Sequence, residues 1–177
     1  MNEADISGNS ADKSADASAA DSIELVLWRH AEAQSPIPGK IADPDRALTP
    51  RGHAQATRMA AWLNTRLPGK CRMLVSPAVR TLQTASALKR TWDADERVGL
   101  SAGPQSLLTA VDWPRRAGTT IVVGHQPTLG QVAARLLPGL DLDWNIERGA
   151  IVWLQHHPER GNAVLRVTMT PDGITEP

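Results

Sequence analysis

The chain has 177 residues, room for one domain of about 150 residues with a tail and not for two full domains. Hydrophobic residues make up 41% of it, enough for a core, and no apolar run approaches the roughly 20 residues of a membrane-spanning helix. Net charge is zero but uneven: residues 1–22 hold five acids against Lys13, leaving the tail at −4 and the remainder at +4, a mild basicity that suits an anionic ligand without marking a nucleic-acid surface.

Residues 1–22 are mostly Ala, Ser, Asp and Asn. With so little to bury they are expected to form a disordered acidic tail ahead of one folded domain, 23–177. The opening Met1-Asn2-Glu3-Ala4-Asp5 lacks the basic and apolar regions of a signal peptide, so a cytoplasmic location is expected. The single cysteine, Cys71, rules out an internal disulfide and any multi-cysteine metal site, and reads as a small buried hydrophobe. Six tryptophans stand singly, mostly among aliphatics, with no tyrosine or phenylalanine. They read as core and surface cover, because a stacking platform for single-stranded nucleic acid interleaves aromatics with a basic run.

From Ile23 the pattern alternates between strand and helix. Ile23 to Trp28 is a nearly continuous apolar run, as expected of a strand buried on both faces. A polar loop from Ala33 to Leu48 follows, with Pro36, Pro38, Gly39 and Pro44. Thr49-Pro50 supplies an N-cap and a first-turn proline. Behind it Ala56, Met59, Ala60, Leu63 and Leu67 make one helical stripe, which Pro68-Gly69 ends. Cys71 to Val75 is the next strand, and Ser76-Pro77 repeats the capping pattern for a helix to about Thr91. A short strand near Val98, a helix from Gln105 to Val111, a β-branched strand from Thr119 to Val123 and a helix from Pro127 to Leu137 complete the middle. Pro138-Gly139 closes that last helix. Two final runs, Ala150 to Leu154 and Ala163 to Thr168, flank the turn His157–Gly161 as an antiparallel pair. The sum predicts an α/β fold, helices layered on a mixed and mostly parallel sheet.

Ligands of open α/β sheets bind beyond the carboxyl ends of the strands. Arg29-His30 ends the first strand, Arg80 lies just beyond the second, and His125 ends the β-branched strand. Two arginines and two histidines are thus expected to converge on one sheet edge. Guanidinium forks match the oxygens of a phosphoryl group, and a helix amino terminus adds N–H donors. A neutral imidazole can attack phosphorus in line, and a second, protonated one can stabilise the equatorial oxygens. No metal or other cofactor is required. Asp43-Pro44-Asp45 and Asp141-Leu142-Asp143 lack the Gly and Glu of a calcium loop. His53, His156 and His157 read as non-catalytic. Glu32 and Asp45 are candidates for a proton relay.

At these residues the sequence resembles the histidine phosphatase superfamily, or phosphoglycerate mutase-like fold, and within it the small phosphohistidine phosphatases of the SixA type. The resemblance rests on Leu25 to Ala33, Arg46 to Gly52, Met59 to Leu63, Val75 to Thr84 with its Ser76-Pro77, Arg80 and Gln83-Thr84, and Val123 to Gly130 with Gly124-His125-Gln126-Pro127. It spans about Ile23 to Thr170. It implies a three-layer α/β/α sandwich, His30 as nucleophile, Arg29 and Arg80 as phosphate-binding arginines and His125 as the second histidine. Two residues depart from the family pattern. Ala31 stands where the hallmark has glycine. No Leu-x-Glu general acid lies between Arg97 and Ile146, where the only acids are Asp112, Asp141 and Asp143.

The missing acid favours a phosphohistidine substrate. An alkoxide leaving group wants a proton donor, whereas a phosphoramidate is more labile. The expected function is metal-independent hydrolysis of phosphohistidine on a protein through a phospho-His30 intermediate. Its partner would be a phosphohistidine-bearing protein such as a histidine-phosphotransfer domain, with no nucleic acid or membrane, and the chain itself a monomer. One alternative is a phosphomonoesterase or phosphoanhydride hydrolase of a small metabolite. A second, a non-catalytic phospho-ligand-binding protein, would have no need of a nucleophilic imidazole.

Overall fold

In the computed structural model residues 22–137 and 144–174 are described. The expected tail falls almost wholly outside them, as do Pro138-Gly139, Asp141 and Asp143. The strands are β1 (Ile23–Arg29), β2 (Arg72–Val75), β3 (Asp93–Ala94), β4 (Gly118–Gly124), β5 (Ile151–His157) and β6 (Asn162–Met169). The helices are α1 (Pro50–Asn64), α2 (Val79–Ser86), α3 (Pro104–Val111) and α4 (Thr128–Leu136). All six strands join one sheet in the order β3-β2-β4-β1-β5-β6. β1, β2, β3 and β4 run parallel, while β5 runs antiparallel to both β1 and β6. The fold is the expected three-layer α/β/α sandwich on a mixed sheet.

Strand alternation divides the core between two faces. Leu25, Leu27, Leu74 and Val122 meet Leu107 and Val111 of α3 and Leu129, Val132 and Ala133 of α4 on one face. Val26, Trp28, Met73, Val75, Ile121 and Val123 meet Met59, Ala60 and Leu63 of α1 and Ala85 of α2 on the other. Both faces are dry, which is why these strands read as unbroken apolar runs. Each such fully buried aliphatic side chain contributes about 1.5–3 kcal/mol. Trp28 and Trp153 lie in the core, and Trp62, Trp92, Trp113 and Trp144 cover it from partly exposed positions.

The packing that positions the site lies at the start of α1. Thr49 Oγ1 accepts from the Gly52 N–H at 3.0 Å, and the Thr49 N–H donates to the Glu32 carbonyl at 3.1 Å. A Cβ on Gly52 would run into that same carbonyl, so only glycine lets α1 approach the chain two residues beyond His30 this closely.

Several boundaries differ from the sequence expectation. Helix α2 begins at Val79, not at Pro77, and its N-cap Ala78 has no side-chain cap. Ser76 does not start it: its N–H still extends the sheet by donating to the Val123 carbonyl, and its hydroxyl accepts from His125. The helix also stops at Ser86, short of Thr91, with Lys89 in the left-handed region at φ 56°. The short strand is Asp93–Ala94, and Val98 belongs to a 3-10 turn, Glu96–Val98. Cys71 is half-buried and not fully so, with Arg90 Nη1 donating to its Sγ at 3.4 Å.

Candidate active site

Three neighbouring parallel strands, β2, β4 and β1, end side by side. The residues after β1 and β2 continue the ladder: His30 N–H donates to the Gly124 carbonyl at 3.1 Å, and Ser76 N–H to the Val123 carbonyl at 3.0 Å. His30 and Ser76 are thereby fixed at one sheet edge by backbone, and His125 directly follows the end of β4 beside them. Arg80, on the first turn of α2, reaches back over them. His30 and His125 are 7% and 6% exposed and Arg80 only 2%.

Hydrogen-bond directions settle both imidazole tautomers. His30 Nδ1 lies 2.7 Å from the Ala31 carbonyl, which only accepts, so Nδ1 carries the proton and Nε2 the lone pair. Arg80 Nε, which only donates, lies 3.3 Å from that Nε2. Arg80 Nη2 lies 3.4 Å from His125 Nδ1, making Nδ1 the acceptor. His125 Nε2–H therefore donates to Ser76 Oγ at 2.7 Å. The two rings stand 5.3 Å apart, tilted by 57°.

Both rings are neutral near pH 7. Burial is the main cause that pushes the His30 pKa down to about 4; the bond to Ala31 opposes it, and the charges of Arg80, Arg29 and Arg46 reinforce it. Burial, then Arg80 and His30, push His125 to about 3, with Asp43 opposing. The expected protonated second imidazole is thus neutral here, because no anion but Asp43 faces it.

His30, Arg80 and His125 are brought together as expected. Arg29 is near enough for its charge to be felt at His30; its Nη1 donates to the Ile146 carbonyl at 2.6 Å, while its buried Nε–H has no acceptor among the described residues. Burial and the neighbouring Arg148 lower its pKa. The Glu32 carboxylate lies at the start of α1, where it accepts from Thr49 Oγ1 at 2.7 Å and faces Arg51 at 3.6 Å. Asp45 is exposed and makes no ion pair with the cluster. The loop carboxylate that does reach it is Asp43, whose Oδ2 lies 3.0 Å from Arg80 Nη2. His53 is exposed on α1, and His156 and His157 sit at the opposite end of the sheet, near Glu24 in the β1–β5 register.

Sequence reasoning missed Ser76, Thr84, Asp43 and Arg46. Thr84 Oγ1 accepts from the Ala31 N–H at 3.1 Å and donates to the Arg80 carbonyl at 2.7 Å, tying α2 to the residue after His30. Ala31 is fully buried against Leu48 and Ala56, so its methyl lies in the core. The Asp43-x-x-Arg46 spacing was the available signal for the loop pair, since i,i+3 acid and base pair across one turn. Among the described residues no cluster of three or more His, Cys, Asp or Glu is placed to hold a metal ion. Nor, among them, is any helix long and apolar enough to cross a membrane.

Two neutral imidazoles, one with its unprotonated nitrogen accepting from a buried guanidinium, suit a nucleophile and an oxyanion cradle. Comparison with known proteins agrees with that chemistry. The histidine phosphatase superfamily (branch 1) model matches residues 25–100. An uncharacterised protein of Mycobacterium tuberculosis is 35% identical over 140 residues, 76% of this chain and 85% of the relative. A candidate SixA phosphohistidine phosphatase from Nakamurella multipartitia superposes with a TM-score of 0.71 at 27% identity, covering 85% of this chain and 96% of that one. The protein histidine phosphatase SixA, solved with tungstate, gives 0.72 at 22% identity, with 85% and 98% covered. A candidate α-ribazole-5′-phosphate phosphatase from Escherichia coli shares the fold at 0.67 and 18% identity, with 84% and 98% covered. The fold alone therefore does not choose the substrate.

Proposed function

The chain belongs to the histidine phosphatase superfamily, and from that membership we propose that it hydrolyses phosphohistidine on a protein through a covalent intermediate on His30. The observation that carries this reading is His30 Nε2, left unprotonated by the Nδ1–H bond to Ala31 and accepting at 3.3 Å from Arg80 Nε, a donor that can turn to a phosphoryl oxygen as the bond to phosphorus forms. In the first step that lone pair forms a bond to phosphorus while the phosphorus–nitrogen bond of the substrate breaks. A substrate imidazole protonated on its other nitrogen leaves as a neutral molecule, so no carboxylic acid has to supply a proton. In the second step water attacks phosphorus, the Nε2–phosphorus bond breaks, and phosphate leaves with the surplus proton passing to solvent.

Arg80 and the unaccepted Nε–H of Arg29 are the donors for the transferring oxygens. The arriving dianion raises the pKa of His125, so that its Nδ1 gains a proton and donates to an equatorial oxygen. Ser76 Oγ holds the ring for that purpose. The choice of phosphohistidine over a phosphate ester is supported by the state of the acid beside the cluster. Burial alone would raise the Asp43 pKa, but hydrogen bonds from Arg46 and Arg80 outweigh it and keep the carboxyl ionised. An ionised carboxylate has no proton for an alkoxide.

The test is a substrate panel without added metal: a phosphorylated histidine-phosphotransfer domain, a phosphohistidine peptide, and a set of sugar and nucleotide phosphates. Turnover fastest on the phosphohistidine substrates is expected. Rapid turnover of a small phosphate ester with none on phosphohistidine would replace this reading by that of a metabolite phosphatase.

A further inference from the structure

The arginines of the site already hold an anion of the chain's own. Asp43 Oδ2 lies 3.0 Å from Arg80 Nη2, and Asp43 Oδ1 accepts from Arg46 Nε at 2.8 Å and Nη2 at 2.7 Å. One carboxylate thus bridges two guanidinium groups with its two oxygens, the geometry in which forks bind an oxyanion. The Arg80 side chain is 2% exposed and the Asp43 side chain 49%. The cation is fixed; the carboxylate has solvent to turn into.

The loop backbone is held separately. Arg80 Nη1 donates to the Asp43 main-chain carbonyl at 2.6 Å, and Arg46 Nη1 donates to the Gln34 carbonyl at 2.8 Å. Rotation of the Asp43 side chain alone would free Arg80 Nη2 and the Nε–Nη2 edge of Arg46 while these two bonds keep both guanidinium groups in place. Arg46, with a side chain only 17% exposed, is close enough for its charge to be felt at His30, His125 and Arg80.

We propose, resting on the phosphatase reading above, that Asp43 is a built-in stand-in for the phosphoryl group and that Arg46 is a third phosphoryl-binding arginine, exchanged from carboxylate to substrate when Asp43 turns away. The exchange sets a specificity. A phosphoryl dianion offers two guanidinium groups more charge than the carboxylate it displaces, whereas a monoanion offers no more and gains little by competing. The site therefore selects terminal phosphoryl groups over phosphodiesters and carboxylates. The apparent affinity for an oxyanion is also reduced by the fraction of sites that the carboxylate occupies.

The experiment measures binding of inorganic phosphate and of tungstate by calorimetry, and phosphohistidine turnover, for the full chain and two variants, Asp43→Asn and Arg46→Met, with thermal melts confirming that each is folded. Asp43→Asn keeps the side-chain shape and removes the charge. It is expected to bind both oxyanions about tenfold more tightly than the unaltered chain, and Arg46→Met about tenfold more weakly. If folded Asp43→Asn binds them equally or more weakly, Asp43 orients Arg80 and is no stand-in. If Arg46→Met binds as the unaltered chain does, Arg46 is not a phosphoryl ligand. Each of these results overturns the inference while phosphohistidine turnover by the unaltered chain leaves the phosphatase reading intact. Absence of both oxyanion binding and turnover in the unaltered chain would overturn that reading, and this inference with it.

Discussion

The two ends of the β1–β4 strand pair hold similar groups to opposite effect. At the amino end Glu24, 9% exposed, accepts from Thr119 Oγ1 at 3.0 Å and from Arg166 Nη1 at 2.9 Å. Arg166 Nη1 also reaches Gln155 Oε1 at 3.1 Å. Acid and base balance there, with a hydroxyl and an amide filling the remaining valences. At the carboxyl end Arg29, Arg46 and Arg80 surround two neutral imidazoles, and among the described residues Asp43 is the carboxylate paired with Arg46 and Arg80. That end is short of negative charge. A balanced buried cluster holds a structure together; an unbalanced one of the same residue types is completed by a ligand.

Breaking the unbalanced end should cost activity and leave the fold. His30→Ala is expected to lower phosphohistidine turnover by at least about a thousandfold, with a thermal melt close to that of the unaltered chain. Near-full activity in this variant would remove the nucleophile. Arg80→Lys keeps the charge and loses the fork, so kcat/KM should fall about a hundredfold or more. Steady-state kinetics with the two variants side by side would show whether charge alone suffices.

Breaking the packing that serves the site should do the reverse. Gly52→Ala pushes a methyl at the Glu32 carbonyl and is expected to cost about 1–3 kcal/mol of stability by urea unfolding. Glu24→Gln, at the balanced end, should cost about 1 kcal/mol after allowance for the half-exposed Arg166, with turnover unchanged. Loss of activity in folded Glu24→Gln would erase the contrast between the two ends.

The smallest effect is the pH response. His30 titrates near 4 and His125 near 3 in the folded chain, against 6.5 for an ordinary histidine. On acidification the unfolded chain takes up these protons first, so stability should fall as pH drops from about 6.5 toward 4. A His30→Gln variant should lose part of that slope in melts taken across the range. Because the nucleophile must be neutral, the His30-dependent loss of kcat/KM should appear only near pH 4. A His30 pKa near 6.5, read from the difference in pH-dependent stability between the unaltered chain and His30→Gln, would mean that His30 is neither buried nor flanked by guanidinium groups as described.

Much of this was legible in the sequence because strands announce themselves. Thr119 to Val123 is β-branched and unbroken, so the residue that ends it, His125, falls at a sheet edge wherever the strand lies. His30 follows from the same reasoning, and Arg80 from its distance beyond Val75. The loop was not legible. Between Ala33 and Leu48 no periodicity aims a side chain, so the sequence offers Asp45, with Glu32 just before the loop, as relay candidates and passes over Asp43, the carboxylate that the fold places on Arg80 while Glu32 lies on Thr49. Ser76-Pro77 misled for a different reason. Ser76 instead stays in the sheet ladder, with its N–H on the Val123 carbonyl and its hydroxyl meeting His125, and the helix begins only at Val79. Asp93–Ala94 escaped notice because a two-residue edge strand, exposed throughout, carries no apolar signal.

The nucleophile is tested most directly by trapping the phosphoenzyme. After brief mixing with a phosphohistidine protein carrying labelled phosphate, the quenched chain should hold label that is lost in acid and kept in alkali. Peptide mapping should place that label on residue 30, and His30→Ala should hold none. Label that survives acid, or that His30→Ala carries equally, would contradict the account at its centre.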